Sequence, residues 1–233
     1  MAEQPAILRY GKRAWEETDW TKLNPKNWNW KKLYWPFRVL AHPVQAFNEI
    51  KYENAGSVPI SIGILLLWFF SSVFQFLEYG FQFTTAKPEL LNLYTQFMKT
   101  SMIIILWTIA NWAICTLMDG EGWFKQIWIS CCYSVMPQIV TIIPMTIISK
   151  VLTIDEGKFL TLFSTVSFLW MVLLMFLANT IIHQYSFKKS LWSMVLTVLG
   201  VFILLLIMVL VVSLVVQMED FISTVSREIW LRV

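Results

Sequence analysis

Five long apolar runs follow a polar first quarter of the chain. They span residues 58–77, 100–118, 126–149, 159–182 and 191–216. Each approaches or exceeds the ~20 residues that an α-helix needs to cross a hydrocarbon core about 30 Å thick. None contains Asp, Glu, Lys, Arg or His, and three of the four connectors (78–99, 119–125, 150–158 and 183–190) are short. The pattern therefore predicts an all-α integral membrane protein whose five transmembrane helices form one bundle over residues 57–216.

The polar segment before the runs, residues 1–56, is rich in tryptophan and basic side chains, which together suit the headgroup layer of a membrane. After Pro43, the apolar residues Val44, Phe47 and Ile50 recur at helical spacing, which predicts a short amphipathic helix lying on the membrane. The candidate contacts of this arm with lipid or a partner are Trp15, Trp20, Trp28, Trp30, Trp35, Lys31 and Lys32. A soluble, tryptophan-rich binding arm is the alternative.

The segment after the fifth run, residues 217–233, continues a helical pattern. Phe221, Val225 and Ile229 recur at i, i+4 and i+8. This spacing predicts an amphipathic extension of the last span, and these three residues are further candidates for a lipid or partner interface.

Charge bears on the orientation of the chain and on its partners. Only 14% of the residues are charged, against about 25% in soluble domains, and the net charge of +3 is too small to indicate a nucleic-acid partner. Residues 1–56, 119–125 and 183–190 hold 12 Lys or Arg residues, whereas the connectors on the other side and the tail hold six. The positive-inside rule then predicts a cytoplasmic N-terminus and an extracytoplasmic C-terminus.

The sequence offers no catalytic residue, no metal site and no cofactor site. Its two histidines, His42 and His183, lie at span ends on separate segments, and no catalytic or nucleotide-binding motif is present. Cys115, Cys131 and Cys132 lie inside apolar runs and have no metal-ligand spacing. Proton pumps and ion-coupled transporters keep ionisable groups at membrane depth, and these runs have none. We therefore predict a protein that is not an enzyme.

The spans nevertheless carry mild polarity. Ser130, Ser134, Gln138 and Thr141 form one helical stripe on the third run. Counting 1.5 Å per residue places Asn111 level with Ser134, and Asn179 level with Ser130. These groups are interpreted as interhelical hydrogen bonds, and a path for a solute is the alternative. Pro137 and Pro144 are expected to kink the third span.

Several short motifs resemble those of the Yip domain family, the Ypt/Rab-interacting membrane proteins, in its bacterial branch. They are Gly122-x-Phe124-Lys125, Tyr133-Ser134-x-x-Pro137, His42-Pro43 and His183-Gln184-Tyr185. The resemblance covers about residues 36–216 and implies a non-enzymatic membrane protein. The acidic, glycine-containing motif of the eukaryotic, GTPase-associated relatives is absent. The residues assigned to packing of the bundle are Asn111, Gly122, Phe124, Lys125, Ser130, Tyr133, Ser134, Pro137, Gln138 and Asn179.

Together these features predict a non-catalytic scaffold or accessory subunit of a larger complex in the plasma membrane. The expected partners are membrane lipid and other integral membrane proteins, such as the subunits of an ABC-type carbohydrate importer. The alternatives are a channel or carrier for a neutral solute, and a membrane-organising protein that acts alone.

Overall fold

The computed structural model describes residues 34–53, 55–84 and 88–232, with the backbone alone at residues 88 and 228–232. This part of the chain is helical and contains no strand. Its helices are α1 (Trp35–Ala41), α2 (Pro43–Tyr52), α3 (Val58–Glu78), α4 (Leu93–Leu117), α5 (Phe124–Ser134), α6 (Met136–Ile148), α7 (Gly157–His183) and α8 (Phe187–Arg232). Five segments are long and apolar enough to cross a membrane, with α5 and α6 forming one of them. The predicted fold class is confirmed.

The spans pack as neighbours around α7, which contacts α2, α5, α6 and α8. Helix α4 packs mainly against α8, and α3 packs against α4, α5 and α6. We call the end of the bundle that carries α1, α2 and the turn at residues 118–123 the arm face. The opposite end, which carries residues 79–84, 88–92 and 149–156, is the tail face.

The third span is broken, as its prolines predicted. Helix α5 ends at Ser134, and α6 begins at Met136 with Pro137 in its first turn. Proline is tolerated there because the first-turn N–H groups of a helix have no intrahelical partner. Pro144 lies inside α6. The predicted stripe is therefore divided between two helices, with Ser130 and Ser134 on α5 and Gln138 and Thr141 on α6.

Two spans are longer than the apolar runs indicated. Helix α4 begins at Leu93, because the side chain of Asn92 accepts a hydrogen bond from the Thr95 N–H (3.2 Å) and caps the helix seven residues before the run at 100. Helix α8 runs for 46 residues without interruption. The predicted helical extension beyond residue 216 is therefore present.

The short helix after Pro43 also forms, and much of its apolar face contacts the bundle. Phe47 and Ile50 are buried in the main core, and α2 packs against α7. Val44 is half exposed. The predicted amphipathic helix is therefore present, and the bundle offers Phe47 and Ile50 an apolar surface.

Candidate functional site

A buried polar cluster joins α4, α7 and α8 near the arm face. Its centre is a pair of amides: Asn111 Nδ2 donates to Asn179 Oδ1 (3.0 Å) and lies 3.3 Å from Thr197 Oγ1. Both asparagines are buried. Because an amide in an apolar interior is destabilising without partners, this pair fixes the rotation of α4 against α7.

Asn179 also binds the first turns of α8. Its Nδ2 donates to Ser193 Oγ (2.6 Å) and to Ser190 Oγ (3.0 Å). Ser190 in turn accepts a hydrogen bond from Thr180 Oγ1 (2.7 Å). Ser190, Ser193 and Thr197 lie on one face of α8 and are fully buried, so this face is the one that seats α8 on the bundle.

His183, the last residue of α7, extends the cluster to the turn between α4 and α5. Its Nε2 lies 3.2 Å from Asn111 Oδ1, which can only accept, so Nε2 carries the proton. The unprotonated Nδ1 then accepts from the Gly122 N–H (3.4 Å). A neutral imidazole in this single tautomer satisfies both contacts.

Tyr185 closes the cluster towards the arm face. Its ring stacks on His183 at 5.3 Å between centroids, and its hydroxyl donates to the carbonyl oxygens of Cys115 (3.0 Å) and Met118 (3.3 Å). These carbonyls lie at the end of α4, and that of Cys115 also accepts from the Gly120 N–H (2.8 Å). Burial raises the pKa of Tyr185, so the phenol stays protonated and able to donate.

The turn at residues 118–123 needs glycine because it lies directly on these rings. A Cβ at Gly120 would come 2.5 Å from His183 Nδ1 and 2.8 Å from the Cys115 carbonyl oxygen. One at Gly122 would come 2.7 Å from His183 Cε1. Two residues beside the contact, Asp119 and Gln184, adopt left-handed backbone angles (φ 55° and 56°). The chain is thus bent sharply on both sides to bring turn and ring together.

An ion pair attaches the arm to the same turn. Lys51 Nζ on α2 lies 3.0 Å from Glu121 Oε2, and the Lys51 side chain is only 8% exposed whereas that of Glu121 is 61% exposed. Gln126 Nε2 on α5 donates to the Lys51 carbonyl oxygen (3.1 Å). Burial lowers the pKa of Lys51, and the Glu121 carboxylate partly opposes this effect.

Within the cluster, hydrogen bonds connect the asparagine amides, the His183 ring and the serine hydroxyls. No group of three His, Cys, Asp or Glu side chains in the described residues is placed to hold a metal ion. The arrangement joins three helices, the interhelical turn and the arm. Its geometry suits a structural role, in which the cluster fixes these parts relative to one another.

The polar residues predicted on the third span have other partners. Depth counting matched Asn111 with Ser134 and Asn179 with Ser130, yet the two asparagines pair with each other. Ser130 and Ser134 are buried and donate to carbonyl oxygens of their own helix (3.0 and 2.7 Å). Counting along a helix gives depth but not rotation, and rotation decides the partner.

The other predicted packing residues divide into buried and exposed groups. Tyr133 is fully buried, and its hydroxyl accepts from the Ser57 N–H (3.3 Å). Pro137 is buried at the break, and Gln138 is partly exposed in a cleft between α3, α6 and α7. Phe124 packs edge-on against Trp112 at 5.9 Å. Lys125, also predicted to pack in the bundle, is exposed.

Few of the predicted interface residues lie in the described part of the chain. Trp35 packs against the core, and the Arg38 guanidinium lies 4.9 Å above its ring. Phe221 and Val225 are exposed on α8. The residues outside the described side chains are Trp15, Trp20, Trp28, Trp30, Lys31, Lys32 and Ile229.

Sequence reasoning missed the part of the cluster that α8 contributes. Ser190, Ser193 and Thr197 recur at i, i+3 and i+7, a spacing that indicates one helical face. That signal was available in the sequence.

One comparison with known families gives a match. The model of the Yip1 domain matches residues 37–217, well over half of the chain. No match was found among curated proteins or among solved structures.

Proposed function

This chain belongs to the Yip1 domain family, and we propose that it serves as a non-catalytic scaffold or accessory subunit of a larger membrane complex. Its partners in this proposal are lipid and other integral membrane proteins. A transporter is the partner class to test first, beginning with an ABC-type carbohydrate importer. The proposed location is the plasma membrane, with the N-terminus in the cytoplasm.

The observation that carries the proposal is the length of α8. Its 46 residues extend about 69 Å, more than twice a hydrocarbon core of ~30 Å. Its first half packs on the bundle, where Ser190, Ser193 and Thr197 are fully buried and Val201, Leu204 and Met208 are partly buried. Every side chain from 209 to 227 is exposed. Much of this helix is therefore available to lipid and to another protein.

The final described turns of α8 differ from a purely lipid-facing helix. Phe221 and Ile222 are 69% and 60% exposed, and they share this part of the helix with Glu219, Asp220 and Arg227. Apolar and charged side chains side by side suit a partner that offers both kinds of contact. This composition supports a protein partner for the extension.

The polar cluster supports a role without chemistry. Its central donors and acceptors are used on each other, so no reactive group is directed towards a substrate. A polar cluster of this kind stabilises one arrangement of the helices, and a scaffold requires such a fixed arrangement.

Capture of the full chain from gently solubilised native membranes tests the proposal. We expect an integral membrane protein to co-purify in a fixed ratio. The double substitution Phe221→Gln and Val225→Gln should release it, whereas Val151→Gln, at an 85% exposed apolar residue of the tail face, should not. A chain that purifies alone from native membranes contradicts the proposal.

The arm allows a second test with the same readout. Residues 1–33 are removed, so that Trp35 keeps its place against the core. If the tryptophan-rich arm binds the partner on the cytoplasmic side, this truncation lowers the amount of partner that co-purifies. Full recovery limits the interface to α8.

A further inference from the structure

A second polar site lies at the opposite end of the bundle from the cluster. It is a cleft of about 210 Å³ between α3, α6 and α7 that opens near the tail face. Its polar lining is Gln75, Tyr79, Gln138, Thr141, Thr161, Ser164 and Thr165. The apolar side chains of Ile142, Met145 and Leu160 complete its walls.

The cleft reaches far into the bundle and then stops. Tyr79 directly follows α3 at the tail face, whereas Gln138 lies ten residues before the end of α6 at Ile148. Ten helical residues correspond to about 15 Å, half of a hydrocarbon core. Beyond Gln138 towards the arm face, residues 129–137 are all buried. The cleft therefore ends within the bundle, and it is open along α7, where Thr161, Ser164 and Thr165 are exposed.

The mouth of the cleft is held by fixed contacts. The Gly80 N–H donates to Ser149 Oγ (2.9 Å), and a Cβ at Gly80 would overlap the Ser149 carbonyl oxygen. Lys150 and Glu78 form an ion pair beside it. These contacts join the end of α3 to the end of α6, so the width of the cleft does not depend on a ligand.

The cleft contains amides that the protein leaves without partners. Among the described residues, no hydrogen bond reaches the side-chain amide of Gln75 or of Gln138. Asn111 and Asn179 in the arm-face cluster show the opposite state, with each amide bonded to several groups. Both glutamines are partly exposed to the cleft, and an amide without a protein partner is less stable there than a paired one wherever water is scarce. A molecule with donors and acceptors for both glutamines would therefore gain from binding.

The lining also restricts the charge of that molecule. Amides and aliphatic hydroxyls make up most of it, and Tyr79 is its one titratable side chain among the described residues. Burial raises the pKa of Tyr79, so the phenol stays neutral. The charges of Lys150 and Glu78 at the mouth offset each other. The site is built for a neutral, hydrogen-bonding group.

We propose that this cleft binds a neutral polyhydroxyl group, of the size of glycerol or a single sugar ring, either as a free solute or as the headgroup of a membrane lipid. Hydroxyl groups supply both donors and acceptors, as the two glutamines require. The space accommodates several water molecules and hence a group of this size. The site is separate from the proposed scaffold interface on α8.

The test uses the full chain in phosphatidylcholine nanodiscs and follows its melting temperature. One series adds a monoglucosyl diacylglycerol to the disc, and the other adds free glucose or glycerol to the buffer. A rise with the glycolipid alone identifies a lipid headgroup. A rise with the free compounds identifies a solute if Gln138→Leu abolishes it, because glycerol and sugars also stabilise proteins without binding. No rise in either series overturns the proposal and leaves a cleft that holds only water.

Substitutions in the cleft test whether the ligand binds there. Gln138→Leu and Gln75→Leu should each weaken binding by about tenfold, because each removes two hydrogen bonds of ~0.6 kcal/mol. Gln45→Leu, the same change at an exposed position of α2, should bind as the wild type does. The ligand-free Gln138→Leu protein should melt no lower than the wild type, because an unpaired amide is lost. Binding that persists in both cleft variants assigns the ligand to another site and contradicts the proposal.

Discussion

Gly120 and Gly122 show how single residues bring the turn of the third span onto the end of α7. Neither has a positive φ angle, so the requirement for glycine is one of space. His183 and Tyr185 occupy the volume that a side chain would fill. Two of the motifs that resemble the family, Gly122-x-Phe124-Lys125 and His183-Gln184-Tyr185, thus meet in this contact.

Gly120→Ala should therefore destabilise the protein by about 1–3 kcal/mol, as overpacking of a close contact does. The Cys115 carbonyl oxygen would lie 2.8 Å from the new Cβ and is fixed by the helix backbone. Gly63→Ala is the matched control, because nothing lies within 4 Å of its Cβ position in α3. It should be neutral or stabilise the helix by up to ~1 kcal/mol. Unfolding in mixed micelles measures both, and equal effects would refute the steric explanation.

Asn179→Ala tests the centre of the cluster. The change removes hydrogen bonds to Asn111, Ser190 and Ser193. At ~0.6 kcal/mol for each bond within a membrane, the expected loss in unfolding free energy is about 2 kcal/mol. Thr116→Val removes a hydroxyl that bonds only to its own helix, and should change stability by less than about 0.5 kcal/mol. A similar small effect for Asn179→Ala would show that the amide pair does not hold the helices together.

At the scale of elements, α2 is held to the bundle by apolar burial and by one asymmetric ion pair. Phe47 and Ile50 supply the burial, and Lys51 supplies a nearly buried ammonium next to the exposed carboxylate of Glu121. Removing the two partners should have different effects. A buried charge without its partner is destabilising, whereas an exposed carboxylate without its partner is hydrated.

Glu121→Gln should therefore destabilise the protein by about 1 kcal/mol at neutral pH, and Lys51→Met should change stability by less than about 0.5 kcal/mol. Burial already holds the pKa of Lys51 below its usual value near 10.5, and loss of Glu121 lowers it further. The folded state then binds this proton less tightly than the unfolded state. The stability that Glu121→Gln loses relative to the wild type is therefore greatest below the pKa of Lys51 in the folded variant. This deficit in stability shrinks as pH rises towards the pKa of Lys51 in the unfolded chain. Chemical unfolding across the alkaline range measures this trend, and a deficit that grows with pH would contradict it.

The extension of α8 is an element that the bundle does not need. Side chains 209–227 are exposed, and the hydrogen bond of Gln217 is made to Ser213 in the same helix. A chain that ends at Gln217 should keep the melting temperature of the full chain within about 2 °C, because no described contact between helices is lost. A large decrease would mean that the extension folds back on the bundle.

For the whole molecule, hydropathy was sufficient to predict the architecture, because the length and lack of charge of a span leave few alternatives. The break near Val135 could be predicted because Pro137 removes a backbone donor. Whether Phe47 contacts lipid or protein could not be predicted, because both offer an apolar surface to a helix face. The Asn111–Asn179 pair could not either, since it depends on how α4 and α7 rotate against each other. The unpaired glutamines of the cleft become recognisable only when their neighbours are known.

The central claim for the whole molecule is that α8 carries the chain's contact with another membrane protein. Photo-crosslinking in native membranes tests it most directly, with a benzophenone amino acid at Phe221 and, as control, at Val151, both well exposed. We expect Phe221 to crosslink to a different integral membrane protein and Val151 to yield mainly lipid adducts. Lipid adducts alone at Phe221, or crosslinks only to a second copy of this chain, would contradict the account.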